Sequence, residues 1–141
     1  DVLFNIGKST LKKEFQQTLT DFVPRYLQVL SHYRTSIDEI RIEGHTSSEW
    51  GPQTNLDDAY FLNMSLSQNR TRSVLNYSYF LESLAVEQKE WIKSSFAAVG
   101  LASSRLKLNV DGTENKEKSR RVSFRVITNA DIQIRKILDG L

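Results

Sequence analysis

The chain has no cysteine, and only two prolines, six glycines and one methionine among its 141 residues. Without cysteine there is no disulfide framework and no thiolate metal site. So few prolines and glycines exclude collagen-like or linker-like character, and no low-complexity tract is present. Charge of one sign is also scarce: 19 Lys and Arg stand against 17 Asp and Glu, a net charge of +2. A nucleic-acid binder concentrates positive charge in one patch, so no nucleic-acid partner is expected. The basic stretch Lys116, Lys118, Arg120, Arg121 and Arg125 is interrupted by Glu117 and lacks interleaved aromatics. Apolar runs are short as well, and none approaches the roughly 18 consecutive residues of a membrane span. His32 and His45 are the only histidines. A metal site, or a Ser-His-Asp arrangement of His45 with Ser47 or Ser48, lacks a third ligand or an orienting acid. No metal, cofactor or catalytic residue is therefore expected.

What remains is an ordinary globular composition, 39% hydrophobic and 26% charged, at a length that suits one domain over residues 1–141. The abrupt opening on Val2-Leu3-Phe4, already strand-like, points to a domain excised from a longer chain. Gly7-Lys8-Ser9-Thr10 supplies a turn and an N-cap candidate. Leu11, Phe15, Leu19, Phe22, Tyr26, Leu30 and Tyr33 carry helical spacing and form a core series. Pro24 within it means one bent helix or two abutting ones. Ile37, Ile40 and Ile42 predict a strand ending at Gly44. A polar loop follows over 47–58, then a main helix from about Ala59 or Asn63 to Leu84. Glu87–Ser94 reads as a short helix and Ser95–Gly100 as a strand. A turn is expected at Asp111-Gly112. Val122, Phe124 and Val126 alternate with polar residues as a half-buried strand. Ile132, Ile134, Ile137, Leu138 and Leu141 suggest a closing amphipathic helix. Alternation of strands and helices predicts a small sheet covered by helices.

On the main helix, Leu66, Arg70, Val74, Tyr77, Leu81 and Leu84 recur at steps of three and four and share one face. A guanidinium inside an apolar stripe needs an anionic partner, because desolvating it unpaired is very costly. From the residues alone the ordinary outcome is an internal salt bridge with Glu43, Asp57 or Asp58. The sharper alternative is a ligand carboxylate, which the planar guanidinium can grip with two parallel bonds. Asn63 lies one turn before Leu66 and brings an amide to the same face.

Gly44-His45-Thr46, then Asn63, then Leu66-Ser67-x-x-Arg70, then Val74 and Tyr77 resemble the OmpA-like domain. That family reads G-[HY]-T-D, a loop, N-x-x-L-S-x-x-R-A, and later N-R-R-V-E. Ser119-Arg120-Arg121-Val122-Ser123 matches the last part, with serine in first position, and the similarity extends from Leu3-Phe4 to about Val126. The resemblance implies an α+β fold: a βαβαβ sandwich with a small mixed four-stranded sheet, helices packed on it, and a C-terminal helix. Family members such as Pal, porin tails and MotB bind peptidoglycan non-covalently. By that resemblance Arg70 grips a carboxylate of the stem peptide, usually of diaminopimelate. Asn63 and Thr46 hydrogen-bond to the ligand, Leu66 forms an apolar wall, and Ser47 contributes with nearby backbone amides. Arg120, on the side of Val122 and Phe124, is expected to turn inward and support the pocket, while Arg121 faces water.

Two departures from the family pattern stand out. Ser47 replaces an aspartate that takes the ligand's amino group, and a neutral hydrogen bond there is weaker than a charged one. The 47–58 loop is also roughly half a dozen residues longer, and loops often carry specificity. Glu49, Asp57 or Asp58 could restore the missing carboxylate, and Trp50 could stack on a sugar or pin the loop. Both departures resemble divergent MotB-related motor subunits, those of the Zorya anti-phage systems included. That resemblance implies a periplasmic location, an N-terminal membrane helix, a MotA-like inner-membrane partner and a homodimer. Two competing readings remain: a degenerate scaffold without wall binding, and a hydrolase using His45 with a nearby serine.

Overall fold

A computed structural model describes residues 2–141 of the chain. Helix α1 (Lys13–Ser31) leads through a 3-10 turn to strand β1 (Ile37–His45). Helices α2 (Leu56–Tyr79) and α3 (Val86–Ser95) precede β2 (Phe96–Gly100). The single turn α4 (Lys116–Ser119), strand β3 (Arg121–Thr128) and helix α5 (Ala130–Asp139) complete the order. β1 is the middle strand, parallel to β2 and antiparallel to β3. The sheet is mixed, as expected, but it has three strands rather than four. The segment 2–4 does not join it. Phe4 makes an isolated antiparallel bridge to Leu11, and Lys12 N donates to Leu3 O at 2.9 Å, so the chain folds back on itself there. Gly7, at φ +65°, makes that return without a Cβ penalty. The Phe4 ring enters the core instead, edge-on to Phe15 at 5.6 Å.

α1 is one helix that runs through Pro24, and it buries Phe15, Leu19, Val23 and Leu27. Lys12, not Ser9 or Thr10, takes its N-cap position, with no side-chain cap bond. Tyr33 is exposed because it lies past the end of α1, so the aromatic series leaves the core before its last member. Phe22 and Tyr26 close over Phe124 of β3 at 5.3 and 5.6 Å. α5 forms where the periodicity predicts it, yet it buries none of its residues. No described helix is long and apolar enough to cross a membrane.

α2 departs most from its predicted face. Its buried residues are Ala59, Asn63, Ser67, Arg70, Thr71, Val74 and Ser78, so Leu66 and Tyr77 sit at the margin of the interface. The helix also ends at Tyr79, and Leu81 and Leu84 are buried from the turn that follows. It starts earlier than expected because Asn55 caps it, accepting Asp58 N at 2.8 Å, with Asp57 and Asp58 suited to the positive end of the helix dipole. The small polar stripe has a steric cause. Gly44 and Gly100 are register partners on β1 and β2 and form a flat floor for the helix. A Cβ on Gly44 would lie 2.8 Å from Ser67 O, and one on Gly100 would lie 2.5 Å from Gln68 N. Both neighbours are backbone, which cannot swing aside. Gly100→Ala should therefore cost about 1–3 kcal/mol or more through overpacking, read as a lower urea midpoint with an unchanged slope. An unshifted midpoint would show that α2 can lift off the sheet at no cost.

Candidate functional site

The close approach of α2 to the sheet brings the end of β1, the middle of α2 and the start of β3 around one open cavity of about 490 Å³. Thr46, Ser47, Asn63, Leu66, Arg70 and Arg120 all line it. So do Glu49 and Trp50 from the loop after β1, and Ile6 and Gly7 from the N-terminal turn. Sequence reasoning missed the last two, since their only signal was that the family resemblance began at Leu3-Phe4. Asp57 and Asp58, considered as substitute carboxylates, lie on the exposed first turn of α2 and do not line the cavity.

Arg70 is 5% exposed. Its Nε donates to Lys8 O at 2.9 Å and its Nη2 to Asn5 O at 3.4 Å. Its guanidinium carbon lies 4.5 Å from the centroid of the Phe4 ring, a cation–π contact. The N-terminal turn is thereby tied to the middle of α2. Of the internal carboxylates considered for Arg70, Glu43 stands 3.5 and 3.8 Å from Arg105 and Arg125 instead, and Asp58 is bonded by Asn55. Burial first, then the nearby Arg120 guanidinium, pull Arg70 from its usual value down to about 10, still charged at neutral pH. A desolvated guanidinium in the wall of a cleft favours an anion there.

Arg120 turns inward as expected. Its Nη1 donates to Glu49 Oε1 at 3.2 Å and, at 3.4 Å, to Ser47 Oγ. Glu49 Oε2 accepts Lys116 Nζ at 2.7 Å. The bond from Lys116, and less strongly that from Arg120, holds the Glu49 carboxyl below the usual carboxylate range. Asn63 Nδ2 donates to Glu49 O at 3.1 Å. Ser48 N donates to Glu114 Oε1 at 2.9 Å, and Ser48 Oγ bonds the other carboxylate oxygen. The long loop is thus stitched to the segment before β3 by Glu114 and Lys116, residues for which the sequence held no signal. Trp50, 41% exposed, stands on the cavity rim. Thr46 Oγ1 is buried with no hydrogen-bond partner among the described residues.

Arg121, expected in water, is half-buried and donates to Ser119 O and Arg105 O at 3.1 and 3.2 Å. It faces His45 across the β1–β3 register. His45 is buried, and its Nδ1 has no hydrogen-bond partner among the described residues. Ser48 is committed to Glu114 and Ser47 to Arg120. The serine–imidazole bond that a hydrolase needs is not formed among the described residues. Nor do the described residues contain a group of acids and histidines able to hold a metal.

The fold recurs in solved structures at low identity. The C-terminal domain of Helicobacter pylori MotB matches with a TM-score of 0.58 at 17% identity, over 99% of this chain and 94% of that one. A structure described as the cell wall anchor of the T6SS from Pseudomonas aeruginosa matches with a TM-score of 0.54 at 22% identity, over 91% and 76%. In sequence, the chain is 54% identical over 138 residues to the Zorya protein ZorB of Escherichia coli (strain Crooks), covering 98% of this chain. The chain spans 58% of the length of that relative. Residues 3–123, which hold the whole cavity, match the OmpA family, and the chain belongs to that family of non-catalytic domains.

Proposed function

We propose that the chain is a cell-wall anchor that binds the peptidoglycan stem peptide without covalent attachment. Arg70 takes a ligand carboxylate, Asn63 and Thr46 supply hydrogen bonds, and Leu66 forms an apolar wall. Ser47 and Arg120 close the far side. The observation that carries this reading is the convergence of these six residues on one cavity, with a buried guanidinium in its wall. Kinship with a Zorya protein supports a place in a motor-type membrane assembly. In that setting the domain is periplasmic, tethered to the inner membrane by an N-terminal helix, dimeric, and coupled to a MotA-like subunit.

Co-sedimentation with purified sacculi tests the proposal. The protein should pellet with sacculi and be released by free stem peptide. If it stays in the supernatant at every sacculus concentration, wall binding is lost and the domain serves as a protein–protein scaffold.

A further inference from the structure

The exchange of an acid for Ser47 changes the charge on the far side of the cavity. Among the described residues, Glu49 is the carboxylate that lines the cavity, and it is shared by Arg120 in the wall and Lys116 behind the loop. That carboxylate already carries a cation on each oxygen. It is therefore a poor receptor for a ligand ammonium, and buried Ser47 brings no charge to replace it. Among the described residues, the side-chain hydrogen bonds of Arg120 all run through Nη1. Its Nε and Nη2 remain for a ligand, and its side chain is 33% exposed in the cavity wall.

We propose that Arg120 is a second carboxylate-binding residue, acting beside Arg70, so that the site selects a peptide segment with two carboxylates rather than one zwitterionic amino-acid head. The inference rests on the stem-peptide reading of the cavity. The field of Arg120 already reaches Arg70, so a carboxylate bound at Arg120 is felt at both guanidiniums. Position 47 then acts as a selector. An acid there would neutralise Arg120 and accept an ammonium, whereas serine leaves Arg120 able to meet a second carboxylate.

The probe is a synthetic tetrapeptide, L-alanyl-γ-D-glutamyl-diaminopimelyl-D-alanine amide, with one carboxylate on the glutamyl and one on the diaminopimelyl residue. Isothermal titration compares it with the two forms in which either carboxyl is amidated. The wild-type protein should lose on the order of ten-fold in affinity with either amidation. In Arg120→Gln one amidation should lose its effect while the other keeps it, and Ser47→Asp should bind the unmodified peptide more weakly. The inference is overturned, with the anchor intact, if the wild type binds all three peptides equally or Ser47→Asp binds more tightly. Binding of none of the peptides, together with no retention on sacculi, would overturn the anchor reading itself. The comparison of three peptides on the wild type does not depend on whether any variant folds.

Discussion

Arg70→Ala is expected to lose at least about thirty-fold in retention on sacculi, corresponding to about 2 kcal/mol or more for truncating one partner of a buried charged pair. The informative companion is Arg70→Lys. Lysine keeps the charge but delivers it from one point, without the planar fork. The present guanidinium reaches Lys8 O through Nε and Asn5 O through Nη2, and it lies over the ring of Phe4. A lysine ammonium cannot hold the N-terminal turn in this way and present parallel donors to a carboxylate. Retention should fall about ten-fold in the lysine variant. Circular dichroism must first show both variants folded. Wild-type retention by Arg70→Lys would mean that the site reads charge alone and that the fork geometry is incidental.

The same residue shows what the sequence disclosed and what it hid. That Arg70 would be buried, with Asn63 nearby, followed from its place in a helical period, and the cavity contains both. Helical spacing nevertheless gave the wrong centre for the stripe. Hydrophobic periodicity assumes that the largest apolar side chains face the core. Here the contact is so close that only glycine floors and small polar residues fit, as Gly44, Gly100, Ser67 and Thr71 show. The signal was present, but as a pattern of smallness spread over three elements far apart in sequence. The missing sheet strand has a different cause. Three apolar residues look alike whether they join a ladder or send one ring into the core, and the deciding feature was the return through Gly7. The bonds of Glu114 and Lys116 to the long loop were not legible at all. They span 66 and 67 residues and link polar side chains of no periodic pattern.

His45 carries the largest expected dependence on pH. Burial first, then the positive fields of Arg121, Arg105 and Lys107, lower it from 6.5 to about 4. Its Nδ1 has no acceptor among the described residues, so a proton taken up there would add a buried, unsatisfied charge beside three cations. The folded state therefore holds the neutral ring, while the unfolded chain takes up its proton near 6.5. Between about pH 6.5 and pH 4 the unfolded state binds more protons, and stability falls as pH drops through that window. The contribution is fully present above 6.5, and its loss by pH 4 amounts to about 3 kcal/mol. His45→Tyr, the other residue that the family pattern accepts at this place, removes the titrating ring. Urea unfolding at pH 7, 5 and 4 should show the wild-type midpoint falling more steeply than that of the variant. Carboxyls such as Glu49, lowered by Lys116, titrate in both proteins and cancel in the difference. Parallel curves for the two proteins would remove His45 as the acid-sensitive element and leave the carboxylates to account for the whole slope.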